Sequence, residues 1–354
     1  MPDISIRQAT LADKPALFAF LRQAYPDRWQ YKLPERWEWE FERNPFVRGP
    51  LPIWIALDGD RVVGQSCALV EPLIIHGQEH RVGWGVDFFV LPEYRGQGLG
   101  THLQQANNAG NEIFMSLSMA QAAAHIKSKI GLSPLPPVPV WMKIIHHDPS
   151  SVLNTLTERT KLPEPLLRAS GLPRLTASLL TARTARRDRK MIPPARGALT
   201  PVVTFGPAVD DLWARVSGQF SALIRRDAEY LNWKYVQQPH VQYERVLAPN
   251  GCIIFRRARP PERNAGLILD VFADPKDTDT LRTLLGHAIQ RLTAQGVTYI
   301  LTASSLPAVQ KILAAWDFKQ TKTVTPMIRA NIPVPQEEWL LGKGDHDWDQ
   351  FPLA

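Results

Sequence analysis

Between Val86 and Ala106 the chain reads VDFFVLPEYRGQGLGTHLQQA: an apolar run with strand character, a proline, glycines at Gly96, Gly98 and Gly100, and then a helical pattern. Glycine lets the backbone turn sharply and approach a ligand closely. Successive amides and the positive end of the following helix can then converge on a phosphate. The segment therefore predicts an anion cradle at a strand-to-helix corner. Two familiar phosphate loops fail on spacing. A dinucleotide fingerprint starting at Gly96 needs its third glycine where Thr101 stands, and this loop lies well inside the chain rather than in a first strand-turn-helix unit. A P-loop ends in Gly-Lys-Ser or Gly-Lys-Thr, which is absent.

Arg95-Gly96-Gln97-Gly98-Leu99-Gly100 resembles motif A of the GNAT superfamily of acyl-CoA-dependent N-acyltransferases, in which Arg or Gln is followed by two residues, Gly, one residue, and Gly or Ala. The preceding Val90-Leu91-Pro92-Glu93-Tyr94 resembles the end of that family's fourth strand, and the element order from Ile4 to about Ile145 is similar to the family's. The resemblance implies an acyl-CoA donor, acetyl-CoA by default. It also implies that the amides of Arg95, Gly96, Gln97, Gly98, Leu99, Gly100 and Thr101 hold the pyrophosphate. Backbone groups at Phe88 and Val90 would pair with the pantetheine arm, with Leu91 beside them among the implied coenzyme-binding residues. The main chain does this work, so the side chains are free to vary.

Acyl transfer to an amine requires a neutral nucleophile, a route for its proton and a donor for the departing thiolate. Asp87, on the strand leading to the loop, is the candidate base, with a structural role shared with the aligned Asp270 equally open; Glu71 is a weaker alternative. Many family members carry a tyrosine as general acid four residues before a Gly-Phe pair. Here the pair is Gly131-Leu132 and the matching position is Lys127, so a lysine replaces the expected acid. An ordinary solvated lysine is the plain alternative. His125 is the candidate proton relay, against a packed or surface histidine.

Other clusters point away from chemistry. His146-His147-Asp148 are adjacent, and neighbouring side chains in extended chain point apart, so no metal site is expected. The acidic positions Asp345, Asp347 and Asp349 lack the glutamate of a calcium loop and read as a solvated tail. Cys67 and Cys252 have no partner at ligand spacing and read as buried small residues. The net charge is +7, with Arg183, Arg186, Arg187, Arg189 and Lys190 in one stretch. Without interleaved aromatics that stretch reads as a solvated face rather than a nucleic-acid patch.

The elements that must position the loop alternate α and β. Residues 4–8 alternate as a strand, Thr10 caps LADKPALFAFLRQAY, PERWEWEFERN forms a second helix, and three strand runs precede the glycines. Beyond them come a helix, the strand IFMSLSM and the helix QAAAHIKSKIG. The order then recurs. WEWEFERNPF matches LNWKYVQQPH at an offset of 194, aligning Trp39 with Trp233; VDFFVLP matches LDVFADP at 183; and IFMSLSMAQAAAHIKSKIGL matches YILTASSLPAVQKILAAWDF at 186. In the second copy Asp277 and Asp279 stand where the cradle should be, so one coenzyme site per chain is expected.

The expected fold is α/β of the α+β kind: two GNAT-like domains, each with a mixed, mainly antiparallel sheet flanked by helices. Residues 1–147 form the acyl-CoA-binding domain, 148–199 a linker with helical pieces, 200–333 the degenerate copy, and 334–354 a tail. No apolar run spans a membrane and no secretory leader is recognisable, so a cytoplasmic protein without a membrane partner is expected. The implied acceptor is a small-molecule amine; a looser resemblance to bacterial polysaccharide-modifying GNAT proteins suggests an amino sugar. A non-catalytic acyl-CoA sensor or interaction module is the rival reading. Oligomeric state is not legible.

Overall fold

The computed structural model describes residues 4–118, 127–194, 197–258 and 264–348. It divides into two compact units assembled from interleaved stretches: Met1–Val138, Thr204–Gln242 and Thr323–Leu341 make unit 1, and Pro139–Val203, Tyr243–Lys322 and Gly342–Ala354 make unit 2. Compactness therefore cuts across the chain-order boundaries read from the sequence.

In unit 1, β1 (Ile4–Gln8) pairs antiparallel with β2 (Ile53–Asp58). Thr10 and Asp13 form a capping box ahead of a short 3-10 turn that leads into α1 (Lys14–Ala24), which buries Leu17, Phe20, Leu21 and Ala24 at helical spacing. β3 (Arg61–Ile75) and β4 (Gln78–Val90) make a long hairpin whose turn residues His76 and Gly77 both have positive φ, 48° and 79°. α2 (Leu99–Ala109) follows the glycines, and β5 (Ile113–Ser118) returns parallel to β4. Residues Thr325–Ala330 pair antiparallel with β5 and extend this sheet.

Unit 2 repeats the plan. Glu244–Ala248, Gly251–Arg257 and Ala265–Ala273 run antiparallel, Tyr299–Ala303 lies parallel to the last of these, and Val140–Ile144 pairs antiparallel with Tyr299–Ala303. Each sheet thus receives a strand from the other half of the chain: 140–144 comes from the first half, and 325–330 from the second. The stretch read as a linker forms three helices of unit 2, α3 (Pro149–Thr160), α4 (Glu164–Ala169) and α5 (Leu172–Met191), and Asp148 caps α3 by accepting from the Ser151 amide at 2.9 Å. The expected solvated tail is corrected: Lys343, Asp345, His346 and Asp347 are buried, with the Lys343 ammonium donating to the Trp348 carbonyl at 2.9 Å and Asp345 accepting from the Gly342 amide at 2.7 Å. Among the described residues, no helix is long and apolar enough to cross a membrane.

The interior of unit 1 contains two contacts between residues far apart in sequence. Trp39 and Trp233, the pair aligned by the internal repeat, stack at 4.9 Å between ring centroids and exchange hydrogen bonds, each indole N–H donating to the other's carbonyl at 2.9 and 3.4 Å. Nearby in sequence, the Lys234 ammonium lies 2.8 Å from the Glu71 carboxylate, which also accepts from the Tyr230 hydroxyl at 3.0 Å; Lys234 and Glu71 are fully buried. Removing one partner of a buried pair strands the other charge. Lys234→Met is expected to destabilise the protein by about 3–5 kcal/mol, and Lys234→Met combined with Glu71→Gln to recover much of that loss, as read from urea denaturation.

Candidate functional site

The site begins at an irregularity in β4. Gln65 pairs with Phe89 and Cys67 with Val86, so Asp87 and Phe88 together face the single residue Ser66, and Asp87 adopts φ 47°. Two contacts hold this bulge. The Gln65 amide donates to the Asp87 carbonyl at 3.0 Å, the Lys32 ammonium is ion-paired with the Asp87 carboxylate, and the side chains of both charged residues are nearly sealed from solvent. Lys32 also lies over the Tyr25 ring at 5.1 Å.

The bulge turns β4 away from β5. Parallel pairing between them covers only Val82–Trp84 against Ile113–Met115, and beyond it β4 has no partner on that side among the described residues. The Leu91 amide donates to the Val63 carbonyl at 3.0 Å, so by alternation the peptide groups of Phe89 and Leu91 face β3 while those of Phe88 and Val90 face the opening. The Val90 carbonyl accepts from the Arg95 guanidinium at 2.9 Å, which leaves its second lone pair and its amide at the open edge.

After Pro92–Tyr94, one 3-10 turn, the chain swings through Gly96 and Gly98 at φ 81° and 78° into α2. Only glycine adopts such angles without steric cost. The turn is pinned on its outer side, where the Tyr94 hydroxyl donates to Asp58 at 2.6 Å and Arg61 pairs with Glu93 at 3.0 Å. Among the described residues, none of the five amides from Gly96 to Gly100 donates to a backbone carbonyl, and Gly98, the N-cap, has no side chain to cap the helix. Gly96, Gln97 and Gly98 are exposed. Phe88, itself 43% exposed, stands over Gly100, where an added Cβ would come within 3.0 Å of its ring. The arrangement presents a row of N–H donors, reinforced by a helix dipole, beside an open strand edge.

Unit 2 treats the corresponding corner differently. The helix Thr278–Ala294 is capped by Asp277, which accepts from the Thr280 amide at 3.0 Å and the Thr280 hydroxyl at 2.7 Å. These bonds hold the Asp277 carboxyl below its ordinary range. A carboxylate from the chain itself thus occupies the position an anion would take.

Residues 15–108, which span the bulge and the cradle, match the family "Acetyltransferase (GNAT) family". The chain carries a GNAT acetyltransferase domain. Solved structures agree at the level of the fold. A putative acetyltransferase from Pyrococcus horikoshii is 14% identical, with 94% of this chain and 91% of that one covered and a TM-score of 0.53. A GCN5-related N-acetyltransferase from Anabaena variabilis is 15% identical, covering 92% and 72% at a TM-score of 0.59. The N-myristoyltransferase of Saccharomyces cerevisiae, solved with bound myristoyl-CoA, is 10% identical, covering 93% and 83% at 0.56. No curated protein sequence matches the chain.

The candidate catalytic residues are not equivalent. Lys127 donates from its ammonium to the Leu117 carbonyl at the end of β5, and burial lowers its pKa from 10.5 to about 8. Glu71 is sealed between Lys234 and Tyr230 and is out of reach of a substrate proton. His125 lies outside the described residues. Lys32 and the buried Arg36 and Glu40, which lie 3.4 Å apart, were not singled out from the sequence. For Arg36 and Glu40 a signal was present in RWEWE, where charges recur among tryptophans within one short segment and so enter the interior in pairs; Lys32 carried none.

Gly98→Glu is expected to abolish coenzyme binding in titration calorimetry, because a carboxylate then enters the cradle. The forced φ of 78° should cost only about 1 kcal/mol of stability and leave the circular dichroism spectrum unchanged. Lys127 supplies a pH test. Its folded pKa of about 8 lies below the ordinary 10.5, so the unfolded chain binds more protons between those values. Stability attributable to this group should rise with pH across that window, and denaturation of Lys127→Met should lack the rise.

Proposed function

We propose that the protein is an acyl-CoA-dependent N-acyltransferase that passes the acyl group directly from coenzyme to a small-molecule amine in a ternary complex, with acetyl-CoA as the default donor. The observation that carries this reading is the run of five amides without backbone acceptors, Gly96 to Gly100, next to the open edge at Phe88 and Val90. A coenzyme A thioester matches both features. Its pyrophosphate suits the cradle, and its extended pantetheine arm carries amides that can add to a strand edge. Myristoyl-CoA bound to one structural neighbour supports the same class of donor.

In this reading the open edge at Phe88 and Val90 orients the thioester, and Arg95 steadies the edge through the Val90 carbonyl. Of the two roles open for Asp87, the ion pair with Lys32 supports holding the bulge in place. Lys127 is assigned as the acid. A lysine with a pKa of about 8 is still mostly protonated near neutrality and gives up its proton far more readily than a solvated one, which suits a departing thiolate. An amino sugar is the first acceptor to test. The two units are read as copies of one GNAT plan, supported by the stacked Trp39 and Trp233; the capped corner at Asp277 supports a single coenzyme site in the first copy.

The missing tyrosine favours one competing reading, an acyl-CoA sensor without turnover. Incubation with acetyl-CoA and an amine panel that includes amino sugars is expected to release free thiol only when an accepted amine is present. Saturable coenzyme binding with no thiol release for any amine would favour the sensor. In the catalytic case Lys127→Met should lower kcat by about 10²-fold with little change in the KM for acetyl-CoA, and should remove the fall in rate above pH about 8.

A further inference from the structure

The three helices α3 to α5 carry the greater part of the chain's basic excess. Between Pro149 and Met191 the sequence has nine Lys and Arg against three Asp and Glu, while the whole chain stands at +7. The same region contains five of the ten exposed large apolar side chains among the described residues. Leu162, Leu166, Leu172, Leu175 and Leu179 are 49, 65, 44, 58 and 62% exposed. Scattered exposed leucines need no explanation, but these fall into an order.

On α5, Leu172, Leu175 and Leu179 share one side at spacings of three and four residues, and the same side continues through Arg183, Arg186 and Lys190. The opposite side is the packed one. It buries Pro173 and Ala177, places the Thr181 hydroxyl 3.0 Å from the His147 amide, and holds Asp188 2.8 Å from the buried Lys143. The outward stripe is therefore apolar for the first two turns and cationic for the last three. Its cations are exposed, and none of the three is paired with a carboxylate within the described ion pairs.

We propose that this stripe, with Leu162 and Leu166 beside it, docks the protein onto an anionic lipid surface. Leucines provide apolar area that gains from entering the acyl boundary, and cations farther along the same side reach headgroup phosphates, their long stems lying along the interface. A protein interface would centre on aromatic anchors and directed hydrogen bonds, and leucine is under-represented among such hot spots. Nucleic acid would gain nothing from five exposed leucines. The stripe lacks Trp, Tyr, Asn and Gln throughout, leaving the undirected chemistry that a fluid surface accepts. Docking would bring the acyltransferase site to amines displayed at or near a membrane without any membrane-spanning segment.

The test is co-sedimentation of the full-length protein with vesicles of phosphatidylcholine alone and of phosphatidylcholine mixed with phosphatidylglycerol, at low and high salt. Binding is expected only to the anionic vesicles, and to weaken in high salt. Arg183→Glu with Arg186→Glu should reduce partitioning by at least about tenfold, since each interfacial cation is worth on the order of fivefold. Leu175→Ser with Leu179→Ser should reduce it by a similar factor while leaving charge unchanged. Both pairs are exposed, so unchanged circular dichroism and coenzyme binding serve as the folding control. Protein that stays in solution with anionic vesicles at low salt would overturn the proposal. So would a leucine variant that binds like the parent, which reduces the effect to diffuse charge attraction. A leucine-dependent dimer in light scattering without vesicle binding would assign the stripe to a second copy. Oligonucleotide binding lost only in the arginine variant, again without vesicle binding, would assign the cations to nucleic acid.

Discussion

An α-helix begins with amides that have no carbonyl to bind, and something must satisfy them. Most helices solve this within the chain, as Asp277 does for the helix Thr278–Ala294. At α2 the described residues supply neither a side-chain cap nor a backbone acceptor. Gly98 has no side chain, Gly96 removes bulk from the approach, and the amides from Gly96 to Gly100 donate to no backbone carbonyl among the described residues. A ligand with negative charge is the natural complement, and the remainder of unit 1 serves to hold that corner at the right place and angle.

The bulge at Asp87 shapes the second half of the candidate site. A regular hairpin would have kept β4 in line with β5 and left no open edge. Asp87 and Phe88 stand together opposite Ser66, and beyond Trp84 the backbone groups of Phe88 and Val90 have no strand partner on the β5 side among the described residues. An aspartate at φ 47° is tolerable only when its surroundings hold it, and here the Gln65 amide and the Lys32 ammonium do so. The charged residues buried behind the bulge are therefore part of how the edge is made.

Exchange of strands links the two halves of the chain. Val140–Ile144 and Thr325–Ala330 occupy matching places in the two sheets, each contributed by the opposite half. Together with Trp39 and Trp233, which meet after a separation of 194 residues, the exchange makes each unit dependent on the complete chain. The Lys234 and Glu71 pair adds to this, since unit 1 takes the lysine from the second half. The first half alone would lack a strand beside β5, a stacking partner for Trp39 and a counter-charge for Glu71.

The glycine turn was legible in the sequence, because positive φ angles between a strand and a helix are a local matter, written within seven adjacent residues. The sequence also determined the order of elements around the cradle, which follows from period and capping, and the recurrence that aligned Trp39 with Trp233. What it could not show was which charges meet. Lys32 finds Asp87 across 55 residues and Lys234 finds Glu71 across 163, and no local pattern distinguishes such lysines from solvated ones. The burial that lowers the pKa of Lys127, the interior placement of Asp345 and Asp347, and the outward stripe on α5 likewise depend on what packs against each residue. Those partners exist only once the sheets have formed, so the tertiary structure alone decided them.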